Sequence, residues 1–136
     1  MVKIQIAYEG GLHCRLQHGP SGTEIFTDAP KDNMGKGEAF SPTDLVASAL
    51  GSCMLTTMGI YAQRHEIKLS GGTAEVIKEM TPAPDRKIAK LTVTIHMPSG
   101  IEKSQREVLE RAALTCPVHK NLEPSVEMPI QFIYPD

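Results

Sequence analysis

The stretch from Ser41 to Ala62, SPTDLVASALGSCMLTTMGIYA, decides how this chain is read. Ser41 followed by Pro42 is a strong helix start. The serine hydroxyl can cap the helix, proline suits its first position, and Asp44 stands where the carboxylate of a capping box belongs. Val46, Ala49, Leu50, Cys53 and Thr57 then recur at helical spacing, and Leu45, Met54, Met58 and Tyr61 widen the apolar surface beyond one stripe. The helix is therefore expected to be largely buried. Its interior glycines, Gly51 and Gly59, each cost roughly 1 kcal/mol of helix propensity relative to alanine, which close packing would have to offset. Serines, threonines and glycines interrupt the run from Leu45 to Ala62, which reads as too polar and too short to span a bilayer.

Upstream, Val2, Ile4, Ile6 and Tyr8 alternate with Lys3, Gln5 and Ala7, the pattern of a half-buried strand. The residues EGG at 9–11 supply a turn. Leu12, Cys14 and Leu16 then alternate with His13, Arg15 and Gln17, so a hairpin is expected with Cys14 inward and Arg15 outward. Thr23 to Asp28 suggests a third strand, and Ala29 to Ala39, rich in Gly, Asp, Asn and Lys, a mobile loop.

Downstream, TAEVIKEM at 73–80 and IAKLTVTIHM at 88–97 read as an antiparallel pair, with Leu91, Val93 and Ile95 on one face. A second helix follows, with Ser104 and Glu107 as a capping box. Leu109, Ala112, Ala113 and Cys116 share one of its faces, and Pro117 makes Cys116 its end. Val126 to Tyr134 alternates as a last strand, which Pro129 places at an edge or a bulge.

A chain of 136 residues suffices for one domain with a real core, and one domain over 1–136 is expected. Fourteen basic against sixteen acidic side chains give a formal charge of −2, and no basic run interleaved with aromatics occurs, which argues against nucleic acid as a partner. The first residues read as a strand rather than a signal peptide, and no membrane association is expected. Three cysteines without an export signal fit a reducing cytoplasm, where any disulfide would be transient.

Cys53 and Cys116 lie on apolar helix faces, so a meeting in one core is plausible. The plain alternative is two inert thiols, since free cysteine is among the most buried residue types. Reactivity requires a thiolate. Cys53 lies too far from Ser41 for the helix N-terminus to lower its pKa, which leaves a cation from elsewhere, with Arg15 as the candidate. Arg64 and His65 suit the C-terminal end of the helix dipole. Cys116 and His119 form a CxxH spacing, but no further ligand pair accompanies them, so neither a metal nor another cofactor is expected.

The runs FSPTDLVASALGSC and AALTCPVHKNL resemble the OsmC/Ohr family of thiol-dependent peroxidases over essentially the whole chain. The run TDAPKDNMGKGEAFSPTDL is similar to its OsmC-like branch. The resemblance implies an α+β fold, with a curved antiparallel sheet packed around a long central helix, completed as an intertwined homodimer with its sites at the subunit interface. It also implies that Cys53 is the peroxidatic cysteine, Cys116 the resolving one and Arg15 the site arginine. An organic hydroperoxide would be the substrate and an external dithiol or lipoyl-type compound the reductant. Leu50, Met54 and Met58 would favour an alkyl substrate.

One position departs from the family. Its well-characterised peroxidases carry a glutamate directly after the helix-start proline, and here that residue is Thr43. It stands about 15 Å along the helix from Cys53 at 1.5 Å per residue. Asp44, Glu38 or Asp28 are the carboxylates that could support the arginine instead. The departure motivates an alternative: a dimer that binds an apolar or thiol-containing small molecule, or senses redox state, with little peroxidase activity.

Overall fold

The computed structural model describes residues 1–135, which fall into two compact units, one up to Val46 and one from Ala47 onward, each of which is described by itself. In the N-terminal unit β1 (Ile4–Tyr8), β2 (His13–His18) and β3 (Glu24–Asp28) form an antiparallel meander. Ile6 opposite Leu16 and Leu16 opposite Ile25 put Ile4, Ile6, Tyr8, Cys14, Leu16 and Ile25 on one face. His13, Arg15, Gln17, Glu24, Phe26 and Asp28 occupy the other. The expected half-burial of β1 is not found: Ile4, Ile6 and Tyr8 are 53, 61 and 66 % exposed. Alternation correctly assigned the faces, but the apolar one is exposed along β1.

The segment after β3 is folded back on itself rather than left as a plain loop. It makes a 3-10 turn at Lys31–Asn33. The Asp28 and Ala29 amides donate to the Phe40 and Leu12 carbonyls, and the Glu38 amide donates to the Asp28 carboxylate at 3.1 Å.

Helix α1 (Pro42–Arg64) starts as its sequence predicts. The Asp44 amide donates to Ser41 Oγ at 3.1 Å and the Ser41 amide to Asp44 Oδ2 at 2.9 Å, a closed capping box. At 23 residues the helix is long and apolar enough to cross a bilayer by length and composition, contrary to the sequence reading. Its apolar face is nonetheless a core face. The buried stripe runs through Ala47, Leu50, Gly51, Met54, Met58 and Ala62, while Ala49 is exposed and Cys53 and Thr57 are half-buried. The helix is thus rotated from the expected stripe, and less of it is buried.

In the second unit β4 (Thr73–Met80), β5 (Ile88–His96) and β6 (Ile130–Ile133) form a sheet in the order β4-β5-β6. Leu91, Val93 and Ile95 of β5 are fully buried with Leu50, Met54 and Met58, and with Leu109 and Ala113 of α2 (Lys103–Leu114). Burying aliphatic side chains of this size contributes about 1.5–3 kcal/mol each. Gly51 admits β4: a Cβ there would stand 3.0 Å from Val76 Cγ2. Gly59 has open space around it, and no close contact offsets its propensity cost.

The pairing of β4 with β5 is antiparallel as expected, whereas β5 and β6 run parallel. The physical reason is the connection: α2 and α3 (Pro117–Leu122) carry the chain back to the starting end of the sheet, as a parallel crossover requires. Pro129 precedes β6 and uses only its carbonyl, which accepts from the Val93 amide at 2.9 Å. The expected Ser104 capping box is not used. Helix α2 starts two residues earlier than that cap would give, at Lys103 after Glu102, with no side-chain cap.

Candidate active site

Two of the sequence-chosen residues meet in the second unit. Cys53 sits in the middle of α1, half-buried. Cys116 is fully buried, but it does not belong to α2 as expected. That helix ends at Leu114, and Cys116 instead caps α3, a helix the sequence reading missed, with its sulfur accepting from the His119 amide at 3.3 Å. Pro117 explains both features, since it disfavours helical geometry before it and suits the first helical position after it.

The two thiols are close enough to shift each other's ionisation, and their surroundings drive them apart in acidity. Burial pushes the Cys53 thiol up, but hydrogen bonds from the Cys116 thiol, the Val118 amide and the Thr57 hydroxyl outweigh it, and its pKa is lowered. Cys116 is raised, first by burial and then by the hydrogen bond to Cys53, despite the His119 and Val118 amides. The sequence reading asked for a cation. Among the described residues the groups that lower Cys53 are neutral donors.

Leu50, Met54 and Met58 are fully enclosed in the core, on the turn-neighbouring positions of the same helix. Half-buried Leu55 and Val118 pack against that core beside them. His119 keeps only 12 % of its side chain exposed, with Nδ1 3.0 Å from Glu123 Oε1 in a geometry that makes no hydrogen bond. No cluster of three or more His, Cys, Asp or Glu side chains able to hold a metal occurs among the described residues.

Arg15 stands in the N-terminal unit, pointing outward from β2 as expected. Its partners are two carboxylates the sequence reading did not name: Glu24 Oε2 lies 2.9 Å from an Nη and Glu9 Oε2 lies 3.2 Å from Nε. The Glu24 hydrogen bond, then the charges of Glu24 and Glu9, raise the pKa of the guanidinium further. Of the carboxylates proposed from sequence, Asp44 closes the α1 cap, together with a Ser41–Thr43 hydroxyl contact at 3.3 Å. Asp28 binds His13, and Glu38 offers its amide to Asp28. His13 also lies 3.7 Å from Glu9 and stacks on Phe26.

Thr57 was visible as the residue one turn after Cys53, but it read as a member of the apolar stripe. Glu24 reaches Arg15 diagonally across the β2–β3 register, which periodicity cannot supply.

The comparisons with known proteins bear on this geometry. The model of the OsmC-like protein family matches residues 35–131. The chain belongs to that family. A provisionally described osmotic-stress-induced and detoxification response protein from Psychrobacter arcticus 273-4 is 42 % identical with a TM-score of 0.90, over 97 % of this chain and 96 % of that one. An organic hydroperoxide resistance protein OsmC from Legionella pneumophila is 20 % identical with a TM-score of 0.75, over 98 and 96 % of the two chains, and shares the fold. So does a provisionally named organic hydroperoxide resistance protein from Vibrio cholerae, solved with captopril in one of its active sites. It is 16 % identical with a TM-score of 0.76, over 97 and 90 %. No curated protein matches the chain. In this OsmC-like chain the family's α+β architecture is therefore present with a paired Cys53 and Cys116.

Proposed function

We propose that this chain is a cytoplasmic thiol-dependent peroxidase that reduces organic hydroperoxides. The observation that carries the reading is that Cys53 of α1 packs against the core that holds Cys116, two free thiols in one place, with Cys53 lowered and Cys116 raised. One thiol is prepared to attack and the other to wait as a neutral thiol. The Cys53 thiolate attacks the distal oxygen of the hydroperoxide. The O–O bond breaks, the alkoxide leaves and takes a proton to become the alcohol, and Cys53 becomes a sulfenic acid. Cys116 then attacks the Cys53 sulfur, releasing water and forming the Cys53–Cys116 disulfide. An external dithiol of lipoyl type returns both thiols by exchange and leaves as its own disulfide.

Arg15 acts in this reading as the group that binds the peroxide oxygen, held in shape by Glu9 and Glu24. Leu50, Met54 and Met58 form the apolar backing for an alkyl group. Homodimerisation is part of the proposal, and the uncovered apolar face of Ile4, Ile6, Tyr8 and Ile25 supports it.

The test is to treat the reduced protein with one equivalent of cumene hydroperoxide and follow free thiols and intact mass. The expected result is rapid loss of two thiols, a mass decrease of about two hydrogens and a peptide linking Cys53 to Cys116. Slow oxidation that does not prefer Cys53 overturns the proposal. A second reading, a small-molecule-binding or redox-sensing dimer, is favoured by the captopril held by the Vibrio cholerae protein and by the two carboxylates already bracketing Arg15. It expects saturable ligand binding with little hydroperoxide consumption.

A further inference from the structure

The polar face of the N-terminal sheet holds one imidazole between two carboxylates, and the strand register sets it there. Tyr8 lies opposite Cys14, the Glu9 amide donates to the His13 carbonyl at 2.9 Å, and the turn residues between them, Gly10, Gly11 and Leu12, all take positive φ. Glu9 and His13 therefore flank a tight turn, and Arg15 follows His13 by two residues on the same face of β2. On its other side His13 lies opposite Asp28 of β3.

The ring of His13 is fixed from β3. Its Nδ1 is hydrogen-bonded to Asp28 Oδ1, and Phe26 stacks on it with 5.4 Å between centroids. The Asp28 carboxylate is held in turn by the Glu38 amide at 3.1 Å. A carboxylate only accepts, so Nδ1 carries the proton of that bond. Nε2 points the other way and lies 3.7 Å from Glu9 Oε1, beyond hydrogen-bond distance. The second oxygen of the same carboxylate, Glu9 Oε2, is 3.2 Å from Arg15 Nε, and Glu24 Oε2 is 2.9 Å from an Arg15 Nη. Lys36 and Glu38 are the further charged side chains lining the cavity beside His13.

A neutral imidazole has one N–H, and here Asp28 takes it, so Nε2 turns a lone pair toward the Glu9 carboxylate. A protonated imidazole has a second N–H, which Glu9 can accept. The carboxylate is then tied at both oxygens instead of one. Imidazole is the side chain whose charge ordinarily changes between about pH 5 and pH 8.

We propose that His13 is a positioning residue for Arg15: protonated, it ties Glu9 Oε1 so that Glu9 Oε2 holds the guanidinium in one orientation, and neutral, it lets that contact loosen and leaves Arg15 on Glu24. The proton comes from solvent and returns to it, and only an N–H bond is made or broken. The consequence for turnover rests on the peroxidase reading, in which Arg15 binds the peroxide oxygen. The coupling of His13 to Arg15 rests on the geometry of this face and is open to test without any hydroperoxide.

The experiment follows the Arg15 Nε–H and His13 ring signals of the full-length protein by NMR from about pH 5 to pH 8. Arg15→Lys and His13→Gln assign the two signals, and thermal melts confirm that each variant is folded. The Arg15 signal is expected to move in one step that coincides with the His13 titration. That step should vanish in His13→Gln and in His13→Phe, and also in Glu9→Gln, where His13 itself still titrates. An Arg15 signal that stays flat through the His13 titration overturns the inference. A step that persists in Glu9→Gln also overturns it, because the coupling would then bypass Glu9. In the parent, KM for cumene hydroperoxide should rise about threefold across the step, the scale of an exposed charge pair, and this rise should be missing in His13→Gln. Equal KM profiles in the two proteins overturn the positioning role. If the Arg15 step appears and depends on Glu9 while the parent consumes no cumene hydroperoxide, the coupling stands and the peroxidase reading falls.

Discussion

The polar face of the N-terminal sheet and the thiol pair of the second unit use opposite means. On the sheet, Glu9, His13, Arg15, Glu24 and Asp28 form a run of ionisable side chains in close pairs, most of them partly exposed. At the thiols, a few neutral donors meet two sulfurs, one of them fully buried. Water and salt weaken the exposed charges, whereas a hydrogen bond near the core is weakened far less. Charge density is therefore a poor guide to where the chemistry lies in this chain, and the quieter region is the better candidate for reactivity.

The largest effect expected on this contrast is at the thiols. Cys53→Ser should abolish turnover of cumene hydroperoxide, while Cys116→Ser should allow a single oxidation that stops at sulfenic acid, detectable as a mass gain of about one oxygen. Turnover retained by Cys53→Ser would break the contrast outright. Next, Met54→Ala removes a fully buried side chain from the core cluster to which α1 and β5 both contribute and should cost about 2–5 kcal/mol in denaturant unfolding. A loss far below that range would mean that α1 does not carry the core.

Arg15→Ala separates the two regions. If Arg15 binds the peroxide while neutral donors ionise Cys53, the variant should turn over hydroperoxide about tenfold more slowly yet alkylate at Cys53 with an unchanged pH profile. A shifted alkylation profile would bring the charged face into control of the thiol. The smallest effect is expected at Asp28. The hydrogen bond from His13, opposed by burial and aided by the Glu38 amide, holds its carboxyl below the usual range. A carboxyl lowered by folding contributes stability above its unfolded-state pKa, and that contribution is lost as pH falls through the folded-state value. Asp28→Asn should thus lower the melting temperature at neutral pH and reduce its fall on acidification, measured from about pH 2 to pH 7. Equal falls for variant and parent would remove His13 and Asp28 as a structural pair.

Much of the local structure was legible because it depends on neighbours in sequence. Ser41, Pro42 and Asp44 define the start of α1 through groups within four residues, and the capping box formed as written. The alternation in β1 and β2 correctly separated Cys14 from Arg15. The stripe of α1 was misplaced because apolar residues surround the helix, so its pattern did not single out the face that is buried. Helix α3 was missed because six residues are too few to show a period.

By itself the sequence determined which residues are candidates for the chemistry, where the long helix begins, and that a Cys-Pro pair interrupts the chain near residue 116. These follow from covalent structure, from capping over a few residues and from short-range periodicity. Only the tertiary structure decided that Cys53 and Val118 pack against the core that holds Cys116, that Glu9 and Glu24 hold Arg15, and that β6 returns parallel to β5. Those relations join residues whose spacing along the chain carries no period. They arise when buried apolar faces set the elements against one another and the remaining polar groups take the partners that this packing leaves within reach.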